Sequence, residues 1–253
     1  MTNAVYPCLK EKPVPISGGA SGIGEAIVKS FAAQGARVGF VDLMADAGAA
    51  LAKELQNSGQ TVMFQHCDIT DTGQYQQAIR RFEEAHGPGL VLVNNAANDT
   101  RADWRQITAE EFNRRISINL AHAFFAIQAV APGMMAARHG SIVNFGSISW
   151  MAAQAGIPVY TAAKAATHGM TRSFARELGQ YNIRVNTVVP GWVMTKRQLD
   201  LWVDDAANEL IDRSQCLAGR VQPQDIAAMV TFLASDNARM CSAQNYVVDG
   251  GWV

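Results

Sequence analysis

Short apolar runs alternate with longer segments of mixed polarity along the chain. The runs cover 14–17, 37–41, 61–65, 90–93, 141–145, 184–189 and 246–248. They are β-branched and nearly continuous, as strands buried on both faces are. Between them lie 23–34, 45–57, 72–86, 109–137, 159–179 and 223–234, read as helices. Ile23, Ile27 and Phe31 form a helical stripe in the first of these. Repeated strand–helix order predicts an α/β fold: a doubly wound parallel sheet of about seven strands with helices on both faces. No linker, low-complexity tract or internal repeat interrupts the pattern, so residues 1–253 read as a single domain. One local conflict stands out. Pro15 lies inside the first run, on a strand that would be central, where proline gives up a ladder hydrogen bond. Either that bonding position goes unused or the strand boundary lies a residue or two away.

Composition narrows the picture. Hydrophobic residues make up 49% of the chain and charged residues 17%, enough for a full core and unlike a disordered chain. Net charge is −1, which excludes a strongly basic surface, so no nucleic-acid partner is expected. Cys8, Cys67, Cys216 and Cys241 form no CxxC pair and read as reduced thiols of a cytoplasmic protein. Residues 1–12 lack the apolar core of a secretory signal. The most apolar stretch, 121–137, is interrupted by Gln128, Pro132 and Gly133 and is too short to span a bilayer, so no membrane partner is expected.

Ser17-Gly18-Gly19-Ala20-Ser21-Gly22-Ile23-Gly24 follows the first strand and opens the first helix. Glycines let the backbone turn sharply and approach a pyrophosphate, and the helix N-terminus offers free N–H groups to the phosphates. The strand–loop–helix setting raises a dinucleotide site above an ordinary glycine-rich turn. The second strand ends at Asp42, 18 residues past Gly24. A carboxylate there binds the adenosine ribose hydroxyls and repels a 2′-phosphate. Leu43 follows it, and the glycine loop holds no Lys or Arg. NAD is therefore the expected cofactor and NADP the second choice; the competing role for Asp42 is capping the next helix. Asp68, after the third strand, is placed to accept from the adenine amino group; the competing role for the Asp68–Asp71 stretch is capping the helix that follows. Asn94-Asn95-Ala96-Ala97 ends the fourth strand with amides and small residues that support the sheet edge and let a cofactor lie close.

Tyr160 and Lys164 stand four residues apart at the start of a helix, on one face. A free tyrosine, with a pKa of about 10, is a poor base at neutral pH. An ammonium about 4 Å away favours the phenolate by up to roughly 4 kcal/mol at an effective dielectric near 20. That bounds the lowering at about three pKa units before desolvation is subtracted. Ser147, just after the fifth strand, is placed to hold a reacting oxygen while Tyr160 takes the proton; its competing role is a turn residue bonding its own backbone. Asn119, a middling-to-poor helix former inside 109–137, hints at a kink and a water tied to Lys164.

Taken together, these residues resemble the short-chain dehydrogenase/reductase family in its compact form, over nearly the whole chain. The resemblance rests on the glycine loop, Asp42, Asp68, the Asn-Asn-Ala-Ala segment, Asn119, Ser147, Tyr160, Lys164 and Pro190-Gly191. It implies a Rossmann-type domain and a catalytic tetrad of Asn119, Ser147, Tyr160 and Lys164. The implied cofactor contacts are Gly18, Ser21, Gly22, Ile23, Gly24, Asp42, Asp68, Ile69, Asn95, Ala96, Ala97, Tyr160, Lys164, Pro190, Gly191, Val193 and Thr195. Lys164 would also hold the nicotinamide ribose, and 190–195 would line the carboxamide. It further implies a homotetramer built on helices 109–137 and 159–179. The departures are few: Ser17 replaces the usual threonine, Ala97 a frequent glycine, and Pro15 is unusual.

Family membership leaves the substrate open. The stretches around Asn98, Ser147 and 195–198, with the Asp249-Gly250-Gly251-Trp252 ending, resemble the bacterial pentose dehydrogenases of the family. That implies oxidation of a cyclic aldose (L-arabinose, D-xylose, L-fucose or D-galactose) at C1 to the aldonolactone. Asn98, Ser147, Ser149, Trp150, Gln154, Tyr160 and Trp192 are the expected substrate contacts, with Asn144 and Trp202 as further polar and aromatic candidates. Residues 192–218 are expected to form a mobile lid. Trp and Asn are also ordinary core and turn residues. The alternatives are a 3-oxoacyl thioester reductase, a steroid or other secondary-alcohol dehydrogenase, and a non-catalytic NAD sensor. No metal site is expected, since His66, His86, His122, His139 and His168 lack ligand spacing.

Overall fold

The structure is a computed structural model that describes residues 4–253. Residues 1–3, part of the domain expected over 1–253 and of the polar start at 1–12, lie outside the described residues. Seven parallel strands form one sheet in the order β3-β2-β1-β4-β5-β6-β7. They are β1 Pro13–Ser17, β2 Arg37–Asp42, β3 Val62–His66, β4 Val91–Asn94, β5 Gly140–Phe145, β6 Ile183–Pro190 and β7 Asn245–Val248. The helices are α1 Gly22–Ala33, α2 Ala45–Asn57, α3 Thr72–His86, α4 Ala109–Ile116, α5 His122–Ala137, α6 Pro158–Leu178, α7 Lys196–Leu201, α8 Asp205–Ser214 and α9 Pro223–Ala234. On one face of the sheet, Ile27 and Phe31 of α1, Leu51 of α2 and Val230 of α9 enter the core. On the other, Tyr75 and Ile79 of α3, Ile127 and Val130 of α5 and Leu178 of α6 do so. The doubly wound architecture read from the sequence is the architecture of the chain.

The order reverses between β1 and β4, and a crevice opens there at the carboxyl ends of the strands. Pro15 does lie within β1, opposite Gly39 of β2. On its other side β4 pairs only from Ile16 onward. The Leu90 carbonyl, just before β4, accepts from the Ser141 N–H at 3.0 Å. The missing N–H therefore costs no ladder bond, because the unused position lies at the start of the pairing. The ring packs over Gly89, where a Cβ would come within 2.9 Å of it.

The long helix expected over 109–137 is continuous but not uniform. A π-helical turn, Ser117–Ala121, joins α4 to α5 and carries Asn119. At 29 residues the whole passes the length for a bilayer span. Its second half is a core helix, with His122, Ala126, Ile127, Val130 and Met134 buried. The segment 192–218 holds two helices that periodicity did not separate. Thr195 caps α7 by accepting from the Gln198 N–H, and Asp204 caps α8 by accepting from the Ala207 N–H.

Candidate active site

A cavity of about 910 Å³ occupies the crevice. At one end, α1 points its N-terminus into the cavity. Ser21 precedes it without a side-chain cap, so the first N–H groups of the helix face the space. Gly18 has φ +70°, and a Cβ on Gly24 would lie 1.7 Å from the Gly18 carbonyl oxygen. Both positions thus need glycine. Asn95 braces the loop: its Nδ2 donates to the carbonyls of Ser17 (3.1 Å) and Gly18 (2.8 Å). The Ala96 N–H donates to Ser17 Oγ at 3.1 Å, so the serine keeps a hydroxyl in use there.

Asp42 serves two purposes. Its oxygens accept from the N–H groups of Ala20 and Met44, each at 2.9 Å. Each oxygen keeps a second lone pair, and the residue lines the cavity. Leu43 and Met44 beside it are exposed and carry no charge. Within the Asp68–Asp71 stretch the capping of α3 falls to Asp71, which accepts from the Gln74 N–H at 2.9 Å. Asp68 Oδ1 closes a turn with the Thr70 N–H and hydroxyl while lining the cavity. Uncapped helix N–H groups, glycine clearance and a carboxylate at the end of β2 fit a dinucleotide. Gly18, Ser21, Gly22, Ile23, Gly24, Asp42, Asp68, Ile69, Asn95, Ala96, Ala97, Pro190, Gly191, Val193 and Thr195 all line this one cavity.

Ser147, Tyr160 and Lys164 line its middle. Pro158 starts α6, which puts Tyr160 in the first turn and Lys164 one turn on. Lys164 is 2% exposed, and its Nζ donates to the Phe145 carbonyl at 2.9 Å. It sits 5.7 Å from the centre of the Tyr160 ring. Burial lowers the Lys164 pKa to about 8. The Tyr160 phenol is raised, not lowered as the spacing to Lys164 led one to expect. Burial pushes the phenol above its ordinary value, the Asp99 carboxylate pushes it further, and only the Ser147 hydroxyl favours the ionised form. Loss of water outweighs what the Ser147 hydroxyl gives the phenolate. Ser147 also plays the turn role, accepting from the Ser149 N–H at 3.1 Å.

Asn119 lies in the π-helical turn of the long helix. Its Nδ2 donates to the carbonyls of Asn98 (3.1 Å) and Arg115 (3.0 Å), and its Oδ1 accepts from the Asn98 N–H at 2.8 Å. Both amide hydrogens are used, so the side chain holds the Asn98 loop.

The substrate candidates divide. Asn98, Gln154 and Trp192 line the cavity with Ser147 and Tyr160. Ser149 and Trp150 do not. Ser149 is buried, and the Trp150 indole N–H turns to His168 Nε2 at 3.3 Å because its ring packs edge-on against that imidazole. Asn144 is spent inside the sheet between Asn94 and Thr171. Trp202 is covered by the Arg101 guanidinium, 4.0 Å above its ring. Asp99, Arg197, Gln198 and Trp252 also line the cavity; they belong to stretches that carried the substrate resemblance but were not among the expected contacts. Trp252 lies 6.3 Å from Trp192, ring centre to ring centre. The tail reaches this place only because β7 closes the sheet edge, which no local pattern reveals. Asp99 sat in plain view within a polar stretch but carried no spacing signal.

A sequence profile described as Enoyl-(Acyl carrier protein) reductase matches residues 18–253. The chain belongs to the short-chain dehydrogenase/reductase family. It is 44% identical to a D-xylose 1-dehydrogenase of Caulobacter vibrioides over 252 residues, covering 100% of both chains. It is 39% identical to a protein of Rhizobium meliloti described as a probable galactose dehydrogenase, covering 99% of this chain and 98% of that one. Among solved structures it is similar to a blue fluorescent protein from a metagenomic library in complex with NADPH. That match has a TM-score of 0.89 and 34% identity over 97% of this chain and 99% of the other. As a short-chain dehydrogenase, the protein is an oxidoreductase of a family that uses NAD or NADP.

Proposed function

We propose that this protein is an NAD-dependent aldose 1-dehydrogenase that oxidises a cyclic pentose or hexose to its lactone. One observation carries the reading: Ser147, Tyr160 and Lys164 share a cavity with a polar wall at Asn98 and Asp99 and an indole pair, Trp192 and Trp252. Hydroxyls need polar partners and sugar C–H faces suit aromatic rings. The 44% identity to a D-xylose 1-dehydrogenase supports the same substrate class.

The glycine loop and the N-terminus of α1 would hold the pyrophosphate, Asp42 the adenosine ribose, and Lys164 the nicotinamide ribose. The nicotinamide supplies the acceptor for the hydride from C1. Ser147 holds the anomeric oxygen, and Tyr160, as general base, takes its proton. In this reading Asn119 is a positioning residue, fixing the loop that meets the sugar. Asp42 with its uncharged neighbours Leu43 and Met44 favours NAD over NADP. Residues 1–253 act as one catalytic domain, and 192–218, holding α7 and α8, is its lid. The outer Phe124 and Phe174, packed together at 5.5 Å, mark the α5 and α6 faces for a homotetramer, which light scattering would check.

The test is a set of initial rates of NADH formation with D-xylose, L-arabinose, L-fucose and D-galactose, repeated with NADP. A rate with one of them well above that with cyclohexanol is expected. No rate with any aldose, alongside turnover of a 3-oxoacyl thioester or a steroid, would overturn the sugar assignment.

A further inference from the structure

Three acidic side chains line the cavity among the described residues: Asp42, Asp68 and Asp99. The first two belong to the glycine-loop end, where they brace backbone as described above. Asp99 belongs to the other end. It lines the cavity together with Ser147 and Tyr160, and its charge reaches the Tyr160 phenol.

Asp99 is held by side chains that line the same cavity. Gln198 Nε2 donates to its Oδ2 at 2.6 Å, and Arg197 Nε donates to its Oδ1 at 3.3 Å. Gln198 in turn accepts from the Trp192 indole N–H at 3.0 Å. Arg197 also donates to Thr100 Oγ1 at 2.9 Å. One donor on each carboxylate oxygen leaves a second lone pair on each. The neighbouring polar groups are less free. Asn98 Oδ1 is taken by the Thr100 N–H and hydroxyl, and the Asn98 backbone is clamped by Asn119. The carboxylate is therefore a fixed, charged acceptor with spare capacity in the cavity that also holds Ser147 and Tyr160.

We propose that Asp99 is a specificity-determining residue that accepts a hydrogen bond from the hydroxyl on the carbon next to the one oxidised. The inference rests on the aldose reading. A carboxylate only accepts, so it suits a hydroxyl donor and repels an anionic substituent at that carbon. Charge-assisted hydrogen bonds are about twice as strong as neutral ones, so a substrate lacking the vicinal hydroxyl pays a large penalty.

The test compares wild type, Asp99→Asn and Gln198→Ala. Substrates are whichever of D-xylose and D-galactose the wild type oxidises and its 2-deoxy analogue. Asp99→Asn keeps the shape and an acceptor for Gln198 but removes the charge. It should raise KM for the parent sugar about tenfold or more and shrink the preference for parent over 2-deoxy sugar by a similar factor. The NADH Kd, from fluorescence titration, should stay within about twofold in both variants. Gln198→Ala should keep the preference for the parent sugar. An unchanged preference in Asp99→Asn overturns the proposal. Equal loss of preference in Gln198→Ala also overturns it, leaving Asp99 as a lid latch. A wild type inert on both parent sugars sinks the aldose reading itself and the inference with it, a result distinct from either.

Discussion

Asn119 grips the backbone of Asn98 from both sides, accepting from its N–H at 2.8 Å and donating to its carbonyl at 3.1 Å. A π-helical turn in the long helix is thus fastened to the loop that carries Asp99 into the cavity. Asn119 is 2% exposed, so removing its amide leaves buried groups without partners. Asn119→Ala should lower stability by about 2–3 kcal/mol, given roughly 1 kcal/mol for each of its three bonds. It should also raise KM for the sugar while leaving the NADH Kd nearly unchanged. Urea unfolding and a KM-against-kcat comparison check both halves.

That contact shows where the sequence could and could not be read. Strand runs of β-branched residues and the stripe of Ile23, Ile27 and Phe31 announced the sheet and its first helix, because period and burial are local properties. The glycine loop was equally legible, since backbone conformation at Gly18 and clearance at Gly24 are met by one residue type. Partner choice was not. Asn119 was visible as an odd residue in a helix, but its target lies 21 positions away in a loop. Ser149 and Trp150 sat next to Ser147 in sequence, yet the turn there sends them away from the cavity. Asp99 and Trp252 gained meaning only when the lid and the sheet edge were in place.

Lys164 is a charge held where water is scarce. Its folded pKa, about 8, lies below the ordinary 10.5, so the unfolded chain binds the extra proton between those values. Stability therefore rises with pH from about 8 to 10.5, and the contribution is lost as pH falls through 8. The gap corresponds to roughly 3 kcal/mol at most. Lys164→Met should remove this cost while losing about 1 kcal/mol from the bond to the Phe145 carbonyl. The variant should be inactive yet more stable than wild type at pH 7, with the advantage fading by pH 10. Urea midpoints at the two pH values decide it; a variant less stable at pH 7 would show that the Phe145 bond outweighs the buried charge.

Asp42 ends β2 with both oxygens engaged by backbone N–H groups and a lone pair left on each. The carboxylate is thus fixed before any ribose arrives. Asp42→Ala should raise KM for NAD about tenfold or more and narrow the preference over NADP, because a repelling charge has gone along with an acceptor. Some stability should be lost as well, since the N–H groups of Ala20 and Met44 lose their partner. Parallel KM values for the two cofactors test this; an unchanged NAD/NADP ratio would assign Asp42 to bracing alone.

Tyr160 enters the reaction from the wrong side of its titration. Burial and the Asp99 charge hold the phenol protonated in the protein alone, and only the Ser147 hydroxyl favours release. A base must be deprotonated to accept, so oxidation should speed up as pH rises. kcat/KM with an aldose is expected to climb across pH 7 to 9, with the limb moving to lower pH in Asp99→Asn because a repelling charge is removed. Lys164, 5.7 Å from the centre of the Tyr160 ring, remains in that variant, as does the Ser147 hydroxyl. Tyr160→Phe should abolish turnover at every pH while binding NADH almost as wild type does. Residual activity that keeps the wild-type pH profile in Tyr160→Phe would assign the base elsewhere, whereas loss of both rate and NADH binding would mean that the ring, not the hydroxyl, was being tested, and Ser147→Ala would then isolate the hydroxyl's partner.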